Sequence, residues 1–102
     1  MKVAGSFHAD MTENDLKGRV LHLAHQHGWS VYHVPQRHML NGGGRGYPDL
    51  TLARDGRVMW FELKQEKGYL TPEQAAWVSI LPYVHVLRPT DWWSGRVAEL
   101  LA

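Results

Sequence analysis

Leu16, Val20, Leu23, Ala24 and His27 recur at helical spacing between Thr12 and Gly28, the interval that lines up one face of an α-helix. Thr12 is a good N-cap, Met11 and Leu16 can form a hydrophobic staple, and Gly28 ends the run, so a helix is predicted over about residues 13–27. Residues 29–34 are aromatic and β-branched and are closed by Pro35, which reads as a first strand. Residues 50–53 and 58–64 then flank Asp55-Gly56, the dipeptide favoured in two-residue type I′ turns, and predict a β-hairpin.

Thr71-Pro72-Glu73-Gln74 places an N-cap, a proline at the first helical position and a glutamine at the third. That is a capping box, and it opens a helix ending near Leu81 and Pro82. Residues 84–88 form a short apolar strand before Pro89, and Thr90 or Asp91 can cap a last helix carrying Trp92, Trp93, Val97, Leu100 and Leu101. The order is αβββαβα, an α/β chain with no internal repeat or long linker. Residues 1–11 form an N-terminal arm with no assigned role. Between the first two strands, residues 37–47 read as a loop, because Asn41-Gly42-Gly43-Gly44-Arg45-Gly46 has too much backbone freedom for a helix or strand. This loop is expected to move when empty.

Composition narrows the class. At 102 residues, 44% hydrophobic, with five Trp, four Tyr and two Phe, the chain suits one packed domain and not a disordered segment. The absence of cysteine excludes disulfides and thiolate zinc sites and suits a reducing compartment, with the cytoplasm as the default location. No apolar run approaches the roughly 20 residues that cross a bilayer, and Met1 to Asp10 lacks a signal-peptide core, so no membrane partner is expected. The net charge of +1 does not by itself announce a nucleic acid. Between Gln36 and Gly68, however, Arg37, Arg45, Arg54, Arg57, Lys64 and Lys67 face only Asp49, Asp55, Glu62 and Glu66. If two of those acids bind a metal, that surface becomes cationic.

The hairpin carries the candidate chemistry. With Asp55 and Gly56 as the two turn residues, Asp49 stands opposite Glu62, and directly opposed residues have Cβ atoms about 4.5 to 5.5 Å apart. Like charges so placed destabilise a sheet unless something compensates. Lys64 shares the face of Glu62, while Leu50, Leu52, Phe61 and Leu63 fall on the other face. Glu13 lies three residues before Leu16 and seven before Val20, on the apolar stripe of the first helix, and can reach the same cluster. Converging carboxylates without thiols or paired histidines suit a hard cation, Mg²⁺ or Mn²⁺ in its place, and no organic cofactor is implied. Such an ion with a lysine beside it suits phosphodiester hydrolysis, with Lys64 orienting the nucleophile or stabilising the transition state.

Three separated motifs, Gly46-Tyr47-Pro48-Asp49-Leu50, Glu62-Leu63-Lys64 and Gly68-Tyr69-Leu70-Thr71-Pro72-Glu73-Gln74, occur in the order found in the PD-(D/E)XK nucleases. The chain resembles their VRR-NUC branch most closely. The early helical Glu13 and the closing Val84-His85-Val86-Leu87-Arg88-Pro89 also look like the family, so the resemblance spans residues 12–102. It implies a restriction-endonuclease-like core of order αβββαβ, with a C-terminal helix and a mixed central sheet flanked by helices. It implies a metal held by Asp49, Glu62 and the Leu63 carbonyl, with Glu13 joining directly or through water, and Lys64 and Gln74 completing the site. Stand-alone members of the branch look like viral or bacterial enzymes that act as homodimers on branched DNA such as four-way junctions.

Each assignment competes with a plainer role. Asp49, Glu62 and Lys64 could form a surface ion network, Gln74 could serve the capping box alone, and Glu13 could complement the helix dipole. Arg37, His38 and Arg45 are candidate phosphate contacts on the glycine loop, which is no P-loop because no Gly-Lys-Ser/Thr follows. His22, His25 and His27 read as a solvated face, and Trp60, Trp77, Trp92 and Trp93 as core or dimer surface more than as base-stacking groups. Two alternatives to a structure-selective nuclease stay open: a sequence-specific or nicking enzyme on duplex DNA, and a nucleic-acid-binding module without turnover.

Overall fold

A computed structural model describes residues 11–35 and 44–102. Helix α1 spans Glu13–Gln26, strand β1 Ser30–His33, β2 Leu50–Arg54 and β3 Arg57–Leu63, followed by helix α2 at Pro72–Ile80, strand β4 at Val84–Leu87, and helices α3 at Pro89–Trp93 and α4 at Arg96–Leu101. The strands form one mixed sheet in the order β1-β2-β3-β4, antiparallel except for the parallel β3–β4 pair. This is an α/β architecture with helices against a four-stranded sheet. Among the described residues no helix is long and apolar enough to cross a membrane.

The register follows from the turn. Asp55 and Gly56 both have positive φ, at 51° and 77°, as a type I′ turn requires. They pair Arg54 with Arg57 and, further along, Leu52 with Met59 and Leu50 with Phe61. Because side chains alternate, Leu50, Leu52, Met59, Phe61 and Leu63 all bury on one face. There they meet Leu16, Val20 and Ala24 of α1 and Val97 and Leu101 of α4 in a single core.

Two predicted features differ in detail. The last helix is broken at Ser94 and Gly95, with Gly95 in the left-handed region at φ 88°, which lets α3 and α4 turn separately onto α1. Its N-cap is Arg88 rather than Thr90 or Asp91; Asp91 acts from within the first turn, where its carboxylate accepts the Arg88 backbone N–H at 2.7 Å. Capping of α1 and α2 starts at the residues expected: Thr12 and Thr71 each accept the N–H three residues on and are capped in return.

A cation ties the end of α1 to the C-terminal residues. The Arg54 guanidinium donates to the carbonyls of His27, Leu101 and Ala102 at 2.9, 3.2 and 2.9 Å, and lies 4.3 Å from the centre of the Trp29 ring. Trp29 is buried and gives its own N–H to Leu101 O at 3.0 Å. A planar fork is needed to serve three carbonyls and an aromatic face together. Arg54→Lys is therefore expected to lower the unfolding free energy by about 1–3 kcal/mol, read as an earlier urea midpoint; an unchanged midpoint would show that the clamp contributes nothing.

Candidate active site

The core face of the hairpin leaves its opposite face to the polar residues. One step beyond the Leu50–Phe61 pair, Asp49 and Glu62 come together at the end of the ladder. The Asp49 carboxylate accepts the Leu63 N–H at 2.7 Å, which fixes it against the strand. Glu62 is only 2% exposed. Burial pushes its carboxyl up to about 8, and the negative charge of Asp49 adds to the rise while Lys64 opposes it. The opposition expected from the turn is thus present, and it takes the form of a buried acid that resists ionisation.

Gln74 ties the acid to the lysine. Its Oε1 accepts from Lys64 Nζ at 3.1 Å and from the Thr71 N–H at 2.9 Å, while its Nε2 donates to Glu62 Oε2 at 3.1 Å. Two donors on the oxygen and one acceptor on the nitrogen leave only one sensible orientation for the amide. The capping role and a place beside Glu62 and Lys64 therefore coexist in one side chain.

The position of Gln74 depends on how α2 is seated. No residue of α2 is fully buried, so apolar packing alone does not hold it. Instead Trp77 donates from Nε1 to the Arg45 carbonyl at 3.0 Å and packs edge-on to Tyr47 at 4.9 Å between ring centres. The Tyr47 hydroxyl accepts from Trp60 Nε1 at 2.7 Å. Gly46, at φ 81°, lies so close to α2 that a Cβ there would fall 2.6 Å from Glu73 C and 2.7 Å from the Gln74 nitrogen. Only glycine permits that approach. Gly46 and Tyr47 carry no predicted role beyond the motif they share with Asp49, and their adjacency to that acid is the signal the sequence offers for them.

Glu13 sits in the first turn of α1, half-buried, and its carboxyl is raised above the usual range by burial and then by Asp49, with Lys64 and Lys17 acting in the other direction. It lies within the field of the pair without closing a cage around it: among the described residues, no three His, Cys, Asp or Glu side chains group closely enough to hold a metal ion. Arg45 is exposed, whereas Arg37 and His38 lie outside the described residues. His22, His25 and His27 are exposed, as expected of a solvated face. Trp60, Trp77 and Trp92 are half-buried, Trp92 against the core, and Arg19 lies over the rings of Trp92 and Trp93.

Comparisons with protein-family models, with curated proteins and with solved structures found nothing that matches this chain.

The raised Glu62 carboxyl has a consequence for stability. An ordinary glutamate ionises near 4.5, the folded protein's Glu62 near 8. Between these values the folded state keeps a proton that the unfolded chain has lost, so the group's contribution to stability falls as pH rises through that window. With EDTA present, the thermal midpoint of Glu62→Gln is expected to gain steadily on the unsubstituted protein from pH 5 to pH 8.5. Parallel midpoints across that range would contradict the burial argument.

Proposed function

We propose that this chain is a divalent-metal-dependent DNA endonuclease with a PD-(D/E)XK core of the VRR-NUC type. The observation that carries the reading is the joined set of Asp49, Glu62, Gln74 and Lys64, in which two opposed carboxyl groups meet an ammonium through one amide. The donors fit a hard cation. Mg²⁺ usually takes one or two carboxylates and completes its shell with water and substrate oxygens, so two acids without a third suffice. Asp49, Glu62 and the Leu63 carbonyl would hold the ion, with Glu13 joining through water. An ion bound there would supply Lewis acidity and charge neutralisation for phosphodiester hydrolysis.

The protein's own groups do the rest. Lys64 spends one N–H on Gln74 and has two more to offer a phosphate oxygen and the attacking water. Gln74 holds Lys64 in place and, through Glu62, fixes the distance between ammonium and carboxylate. Hydrolysis adds the water oxygen to phosphorus and breaks the bond to the leaving strand's oxygen, which takes up a proton. Arg37, His38 and Arg45 of the glycine loop are proposed to contact the DNA backbone. The substrate proposed is branched DNA such as a four-way junction, cut by a homodimer; exposed Tyr32, Val58, Ile80 and Tyr83 offer apolar surface for association.

The small size and near-neutral charge of +1 favour a second reading, a nucleic-acid-binding module without turnover. Cleavage separates the two. Labelled four-way junction, duplex and single-stranded DNA are incubated with Mg²⁺ or EDTA, with the oligomer mass taken by light scattering. The expected result is Mg²⁺-dependent cutting of the junction by a two-chain species, abolished in Asp49→Ala and reduced about 10–100-fold in Gln74→Ala, as for loss of an outer-shell partner. Undiminished cutting by Asp49→Ala would sink the site, and cutting confined to unbranched duplex would move the substrate.

A further inference from the structure

Between β3 and α2 the chain passes through a short loop that is unusually well tethered. The Gly68 N–H donates to Gln65 O at 3.0 Å, and Arg88 Nη2 donates to Gly68 O at 2.8 Å. The Glu66 carboxylate accepts from the backbone N–H of Thr90, at 3.0 Å, and from its hydroxyl. Thr71, at the loop's end, is held by Gln74. Two of these anchors come from the β4–α3 junction, so the loop is braced from outside as well as by its own turns.

On this braced loop Tyr69 is 88% exposed, more than any other large hydrophobic side chain among the described residues. Its position relative to the candidate site is close. A Cβ on the preceding residue, Gly68, would lie 3.5 Å from Lys64 Cε, and two residues further on Thr71 is capped by the amide that holds Lys64 and Glu62. An aromatic ring on a flexible loop would lose entropy on binding; one whose backbone is already fixed loses less. At 88% exposure the ring adds little to the core, whereas neighbouring Leu70 is half-buried.

We propose that Tyr69 is a specificity-determining residue that stacks on an unpaired base next to the phosphate being cut. The proposal rests on the nuclease reading and adds to it the feature of the substrate that is recognised. A base inside an intact duplex has both faces covered by its neighbours, whereas a base at a junction, flap or bulge can expose one. An aromatic platform accepts any base in this way, because every base has a π-face. Selection is then for strand discontinuity and not for sequence.

The test uses the full chain and two probes, a duplex with one unpaired 2-aminopurine and the fully paired counterpart, with Ca²⁺ replacing Mg²⁺ so that binding is read apart from cutting. The protein is expected to prefer the unpaired probe and quench its fluorescence. Tyr69→Ala is expected to reduce that preference about tenfold, within the range for one aromatic–base stack, and to lose the quench. Tyr69→Phe and Tyr69→Trp should retain both. Because the ring is exposed, the thermal midpoint of Tyr69→Ala should match the unsubstituted protein, which separates loss of stacking from loss of fold. Equal preference and quench in Tyr69→Ala, in a protein that still cuts DNA with Mg²⁺, would overturn the role of Tyr69 and leave the nuclease reading standing. Failure of the unsubstituted protein to bind or cut any DNA would overturn both.

Discussion

Two carboxyl groups, Asp49 and Glu62, are forced to face one another at the end of a β-hairpin, and much of the molecule is arranged around the resulting repulsion. Opposed like charges weaken a ladder, and burying one of them costs more. The local answers are visible. The Leu63 N–H binds Asp49, the Gln74 amide binds Glu62, and Lys64 supplies positive charge through the same amide. None of these removes the tension completely, since the Glu62 carboxyl still holds its proton to about pH 8. On the proposed reading, a divalent cation would take the place of that proton.

One turn governs both faces of the sheet. The Asp55-Gly56 turn sets the register that buries Leu50, Leu52, Met59, Phe61 and Leu63 against α1 and α4. The same register places Glu62 and its neighbours on the reverse face, where α2 is held by Gly46, Tyr47 and Trp77 instead of by a buried apolar stripe. Core and site are therefore not independent. A slip of one residue would bury Glu62 and Lys64 in the apolar layer and turn the leucines outward. The stability of the hairpin and the chemistry of its end rest on the same pairing.

Local patterns were legible where the physics is local. The spacing of Leu16, Val20 and Ala24, the turn residues Asp55 and Gly56, and the capping box at Thr71 and Gln74 each act within a few residues, and each element appears as expected. From the turn alone, Asp49, Glu62 and Lys64 fall on one face. What the pattern could not show depends on contacts between distant segments. Arg54 reading three carbonyls near residues 27 and 102 is one example, and the near-contact of Gly46 with α2 is another. The break at Ser94 and Gly95 was hidden because Val97, Leu100 and Leu101 continue an apolar pattern across it. Glu13 is half-buried in the first turn of α1 and feels the charge of Asp49, yet its distance from the pair is a matter of helix packing that spacing does not determine.

The central claim is that the opposed acids are held for a divalent cation, and calorimetric titration of Mn²⁺ at pH 7 in buffers of differing ionisation enthalpy tests it most directly. Because Glu62 retains its proton at that pH until an ion arrives, the account predicts binding accompanied by proton release, with the release lost in Glu62→Gln. Absence of binding, or binding that releases no proton and is indifferent to Glu62→Gln, would contradict it.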